Sequence, residues 1–244
     1  MNGRRNTQQI NDRPLANDPE ATLAETAYRR LRRDIVAGIF TPGQPLRLEL
    51  LKQRYGLSFS PLREALNRLQ AERLVTAAAL RGFSVATFSV DEMWDATETR
   101  ILIESEALRR SIEDGGDNWE TGIVAAFHAL ELQARRVISG MDAATDEDLS
   151  SLEVRHQEFH LALIGSCKSP RLLNLAYQLY AETQRYRLPS LTGRFVTSEA
   201  RDIPREHREI MELTLNRKSA EAISLLAKHY RRTAELVESA LPDA

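Results

Sequence analysis

From Ser89 to Leu241 apolar residues recur at helical spacing, and no stretch alternates between apolar and polar as a strand does. That feature decides the fold class of most of the chain. It must be a body of helices that bury their apolar stripes against one another. Six helices are predicted, near residues 90–113, 118–139, 146–166, 170–188, 198–216 and 219–240. Their breaks fall at Gly115-Gly116, residues 140–145, Ser169-Pro170, residues 189–193 and Arg217-Lys218. Ser89 and Glu92 form an S-x-x-E capping box at the start of the first helix. The expected arrangement is an antiparallel bundle.

The preceding segment reads differently. Leu23, Ala27, Leu31, Ile35 and Val36 give a helix over residues 22–38 with Gly38 as its stop. Turn chemistry follows at residues 41–45. A short helix runs from Leu48 to Tyr55 with Leu50 and Leu51 facing inward, and Gly56 breaks it. Ser58 or Ser60 can cap the next helix, and Pro61 suits its first turn. Its buried stripe is Leu62, Ala65, Leu66 and Leu69. Leu74-Val75-Thr76 and residues 83–86 then pair as a hairpin around Arg81-Gly82. The order helix, helix, turn, helix, hairpin is that of a winged helix-turn-helix. The expected organisation is a flexible polar arm over residues 1–20, a winged helix over 21–88 and an all-helical domain over 89–244. The fold class is therefore mainly α.

Two domains suit a length of 244 residues. Hydrophobic residues at 42% and charged residues at 28% are the balance of a soluble protein, and no apolar run reaches membrane-spanning length. The first twenty residues lack the apolar core of a secretory signal, and Pro14 and Pro19 discourage helix there. The single cysteine, Cys167, rules out an internal disulfide and fits a reducing cytosol; a cytoplasmic protein with no membrane partner is expected. Charge is unevenly spread. Residues 21–88 hold eleven Lys/Arg against five Asp/Glu, whereas residues 89–244 hold nineteen against twenty-seven. A basic domain beside an acidic one points to a polyanion partner.

Double-stranded DNA is the partner that the helix-glycine-helix implies, since the second helix of such a unit enters the major groove by its N-terminus. Ser58, Phe59, Ser60 and Arg63 occupy that N-terminus, away from Leu62, Leu66 and Leu69. The hydroxyls and free helical N–H groups suit phosphate, and Arg63 suits phosphate or the O6/N7 edge of guanine. Arg81 and Gly82, at the hairpin tip, can lie along the adjacent minor groove or backbone. The plainer alternative is a solvated basic face on a helical interaction module. Pro61 to Leu69, Glu72-Arg73-Leu74-Val75, Arg81 to Val85 and the upstream Ile35 to Gly43 together resemble the GntR family of winged-helix regulators. The resemblance implies DNA contacts from Ser58, Ser60, Arg63 and Gly82. Phe59 stands where the family commonly has Arg, and Glu49 where a second basic contact is sometimes found.

In the helical domain His156 and His160 are four residues apart on one helical face, a spacing that suits one metal ion. Gln157 stands where the H-E-x-x-H motif needs glutamate, so a metal-dependent hydrolase, the alternative reading, lacks its general base. His207 and His229 stand singly, and His128 has no companion. Arg100 to Glu104, His156 to His160, Glu206 to Ile210, and His229 resemble the FCD ligand-binding domain of one GntR subfamily. Within it the R-H-Q-x-F-H stretch is similar to that of members resembling the carbon-starvation-induced, glutarate-responsive repressor. The resemblance implies a metal held by an Asp and three His; His160, His207 and His229 match the three. His156 occupies the Asp position, which leaves an all-histidine site or a weakened or absent one. Four imidazoles suit a divalent ion such as Zn or Ni. Arg100 matches a residue that holds an acid group, its alternative being an ion pair with Glu104 at i+4. The implied effector is a small organic acid, with Arg185 and Arg187 as weaker candidates for a second carboxylate. The implied assembly is a homodimer on a pseudo-palindromic operator, acting as a repressor and not as an enzyme.

Overall fold

In a computed structural model of the chain, residues 22–78, 82–87, 89–139, 145–191 and 202–240 are described. The expected arm, residues 1–20, lies outside them, as does Arg81; the side chains of Arg185 and Arg187 do too.

Helix α1 (Leu23–Val36) starts at Thr22, whose Oγ1 accepts from the Glu25 amide at 3.1 Å. Ala27, Leu31 and Ile35 recur at helical spacing and are buried against α3 (Phe59–Ala71). The helix stops two residues before Gly38, which takes φ +73° in the turn that follows. Helix α2 (Leu48–Tyr55) buries Leu51 and Tyr55 but leaves Leu50 57% exposed, against the expected inward pair. The reason is the period: Leu51 and Tyr55 share one face, and Leu50 is rotated by about 100° from it. Gly56 ends α2 at φ +68°, a left-handed C-cap that suits a residue without Cβ. In α3 the expected stripe of Leu62, Ala65, Leu66 and Leu69 is entirely buried.

The wing pairs β1 (Val75–Ala78) antiparallel with β2 (Gly82–Val85), with Val75 opposite Val85 and Ala78 opposite Gly82. Gly82 takes φ +77°. The Leu46 amide donates to the Phe83 carbonyl at 2.8 Å, so residues before α2 extend the ribbon. One core, from Ala27 to Val85, closes over these elements.

The rest is helical, as expected from the period. Helices α4 (Val90–Asp114), α5 (Asp117–Ser139), α6 (Asp146–Leu163), α7 (Pro170–Leu191), α8 (Ile203–Leu215) and α9 (Ser219–Ala240) form the second body. Ser89 Oγ accepts from the Glu92 amide at 3.2 Å and opens α4. Helix α4 packs against α7 and α9, and α5 packs against α6. Helix α6 ends three residues short of expectation, where Gly165 turns back to bond the Ala162 carbonyl at 3.1 Å. Helix α8 starts at Ile203 on an Asp202 cap; residues 198–201 of its expected start are outside the described residues. The break at Arg217 takes φ +57°, and its guanidinium donates to the Ile112 carbonyl at 2.7 Å. Cys167 is buried in the core as a small apolar group. No helix among the described residues is long and apolar enough to cross a membrane.

Candidate metal and effector centre beside a candidate DNA interface

Four histidines from three helices converge in the second body. His156 and His160 come from α6, His207 from α8 and His229 from α9. Their candidate ligand nitrogens all lie within 4.8 Å of one another. His160, His207 and His229 are buried and His156 is half-buried. The Nε2 atoms of His156 and His160 are 3.2 Å apart. Two nitrogens held about 2.05 Å from one ion at a tetrahedral angle are roughly 3.3 Å apart, so this pair already has ligand spacing.

The far ring nitrogens of His156, His160 and His229 are each held by a second group. His156 Nδ1 meets the Tyr180 hydroxyl at 2.8 Å, and that hydroxyl donates to Glu153 at 2.6 Å. His160 Nδ1 meets the Tyr230 hydroxyl at 2.9 Å. His229 Nδ1 meets Glu206 Oε2 at 2.9 Å, and Arg232 holds the other oxygen of Glu206 at 3.0 Å. Partners of this kind fix ring orientation and leave Nε2 facing the common centre. The donor set therefore fits a divalent ion of imidazole-binding type. Position 156, where the resemblance implied Asp, carries a ring that points into the cluster with the others.

Arg100 lies beside this cluster on α4 and is 5% exposed. Its Nε donates to Glu104 Oε1 at 2.6 Å and its Nη1 to Thr183 Oγ1 at 3.0 Å, while Nη2 is buried with no hydrogen-bond partner among the described residues. The i+4 ion pair expected as the alternative role is thus present, and it leaves the Nη2 amino group over. Burial opposes the charge, but the Glu104 carboxylate and the Tyr230 and Tyr180 rings hold the guanidinium pKa above its ordinary value. The Tyr180 and Tyr230 rings lie 4.6 Å and 4.0 Å from its central carbon. The Tyr230 hydroxyl joins both halves of the site, donating to Glu104 at 2.5 Å and meeting His160. A cavity of about 30 Å³ opens here, lined by Arg100, Thr97, Thr183, His156 and His229 among others. A water needs roughly 10–15 Å³ on that measure, so two waters, or the two oxygens of one carboxylate, fit.

Sequence reasoning found the four histidines and Arg100. It missed Glu104 as a bridge, Tyr180, Thr183, Glu206 and Tyr230. Tyr180, Thr183 and Tyr230 carry no motif, Glu104 and Glu206 lie in the matching stretches without an assigned role there, and helix packing brings them all to the site.

In the winged-helix body the N-terminus of α3 is open. Ser58, Phe59, Ser60 and Arg63 are exposed, and Arg63 forms no ion pair among the described residues. The Ser58 side chain makes no capping bond, so the first N–H groups of α3 are not closed by it. Lys52 of α2 sits over the Phe59 ring at 5.2 Å, which the sequence did not reveal. Arg68 is turned back to Glu25 at 2.7 Å and is not part of this face.

The two bodies touch through α7. Arg32 of α1 donates to Gln184 at 2.9 Å, and Arg73 pairs with Glu182 at 3.5 Å. The same turn of α7 presents Thr183 to the cavity and Tyr180 to His156.

Comparison with known proteins agrees with this architecture. Residues 23–85 match the family of bacterial regulatory proteins called gntR, and residues 95–232 match the FCD domain. The HTH-type transcriptional repressor GlaR of Escherichia coli (strain K12) is 34% identical over 217 residues, which cover 88% of this chain and 95% of that protein. BphR of Paraburkholderia xenovorans (strain LB400), named an uncharacterized HTH-type transcriptional regulator, is 35% identical over 229 residues, covering 92% and 88%. Among solved structures, E. coli McbR/YncC superposes with a TM-score of 0.73 at 17% identity, covering 90% of this chain and 98% of that one. That last likeness speaks for the fold alone.

Proposed function

The chain belongs to the GntR family of bacterial transcriptional regulators and carries an FCD domain, and from that premise we propose that a small carboxylate controls its affinity for DNA. Regulators of this kind are not enzymes, and nothing favours the hydrolase alternative. The proposed division is a DNA-binding domain over residues 21–88 and a sensor over residues 89–244. Ser58, Phe59, Ser60, Arg63 and the wing tip at Arg81-Gly82 face the operator. His156, His160, His207 and His229 hold a divalent ion such as zinc or nickel.

The observation that carries the acid is the Nη2 of Arg100, a charged NH2 group buried without a partner among the described residues at the edge of a cavity. A buried donor left unmade costs about 1–3 kcal/mol, and an anion there removes the cost. One carboxylate oxygen accepts from Arg100, with Thr183 alongside. A divalent ion held by the four histidines would supply positive charge that attracts the other oxygen. Four neutral imidazoles cancel none of that charge, which favours an anionic ligand.

The effect on DNA travels through α7, which carries Thr183 on one side and Glu182 and Gln184 on the other. An acid that moves Thr183 shifts the contacts to Arg73 and Arg32. It changes DNA affinity only by as much as it prefers one placement of the winged helix. A homodimer reading two half-sites, in the cytoplasm, with repression relieved by the acid, completes the proposal; the repressor GlaR supports the sign by similarity. Isothermal titration of zinc-loaded protein with short dicarboxylates tests the sensor. Saturable heat that vanishes in Arg100→Met supports it; no heat with any of the acids overturns it.

A further inference from the structure

The face that α3 presents contains one group that charge attraction to DNA does not explain. Phe59, the first residue of α3, leaves 43% of its surface exposed, while Leu62, Leu66 and Leu69 of the same helix are fully buried. It lies on the outward stripe Phe59, Arg63, Asn67, Gln70, one turn before Arg63. Hydroxyls of Ser58 and Ser60 flank it, and the Lys52 ammonium stands 5.2 Å from its ring centre. The surface is therefore a small apolar disc rimmed by hydroxyls and cations.

Few partners match that rim and that centre together. A duplex supplies phosphates for the rim. In the major groove it offers one apolar group, the C5 methyl of thymine. We propose that Phe59 is a specificity-determining residue that reads a thymine methyl beside the base contacted by Arg63. The inference rests on the DNA-binding face proposed above, and it adds a base preference that Arg63 alone does not supply. It also accounts for the Lys52 contact. An ammonium over one face of the ring fixes its tilt while keeping a charge near the backbone phosphates.

The test uses a duplex selected from a random library by the full-length protein. Each thymine in turn is replaced by deoxyuridine, which removes the methyl and nothing else. One thymine per half-site is expected to lose roughly fourfold in affinity, the weight of one buried methyl group. Phe59→Ala, which alters an exposed ring, should lose a similar factor on the parent duplex and become indifferent to the replacement. Phe59→Leu, still apolar, should retain sensitivity. Wild-type protein that binds every deoxyuridine duplex as tightly as the parent overturns the inference. So does Phe59→Ala with undiminished sensitivity to the missing methyl. If no sequence is enriched at all, the DNA-binding reading itself fails, which is a separate result.

Discussion

At the level of single residues, the centre depends on groups that never touch a ligand. Glu206 holds His229 Nδ1 and is itself held by Arg232. Glu206→Ala is expected to weaken zinc binding by roughly 10–100-fold, measured by competition with a chromogenic chelator. Arg100 is linked to Glu104, and Glu104 is 2% exposed. Arg100→Met strands that buried carboxylate and should cost about 3–5 kcal/mol in urea unfolding. Arg100→Met/Glu104→Leu should recover most of the stability but none of the acid binding, which separates the two roles. The sequence made part of this legible. His156 and His160 announce themselves by spacing, and His207 and His229 by resemblance. Glu104 shows only as the i+4 partner of Arg100, and the contacts of Glu206 and Tyr230 do not show at all, because a lone Glu or Tyr on an amphipathic helix reads the same whether it faces solvent or a buried ring. Only the packing of α4 and α8 on α9 settles which it is.

At the level of elements, period and breakers fixed type and order well, and ends less well. Helix α2 shows why a pair of adjacent leucines is ambiguous: eight residues hold barely two turns, so one position of rotation decides which is buried. Helix α6, which carries two of the histidines, starts at a reciprocal capping box. Thr145 Oγ1 accepts from the Asp148 amide at 3.2 Å, and Asp148 accepts from the Thr145 amide at 3.0 Å. The Thr145 N–H and hydroxyl hold the Asp148 carboxyl below its ordinary pKa. A depressed carboxylate contributes stability above its unfolded pKa of about 3.9 and loses it as pH falls through the folded value. The gap in urea midpoint between wild type and Asp148→Asn should therefore be constant from pH 7 to about 5 and close below about pH 4. A gap that widens on acidification contradicts the cap.

At the scale of the whole molecule, the uneven charge matches a division of labour. The basic segment supplies the winged helix, and the more acidic one encloses the histidine centre. Composition shows the charge asymmetry but not where the two bodies meet, because Arg32, Arg73, Glu182 and Gln184 look like solvated residues until α7 is laid against α1. The account stands on that junction carrying the state of the cavity to the DNA face. Its most direct test is operator affinity of the zinc-loaded full chain, followed by fluorescence anisotropy as a short dicarboxylate is added. Affinity should change by about 5–150-fold, the usual range of coupling between sites, with its midpoint at the concentration that half-fills the sensor. Unaltered operator affinity when the sensor is saturated with acid contradicts the account.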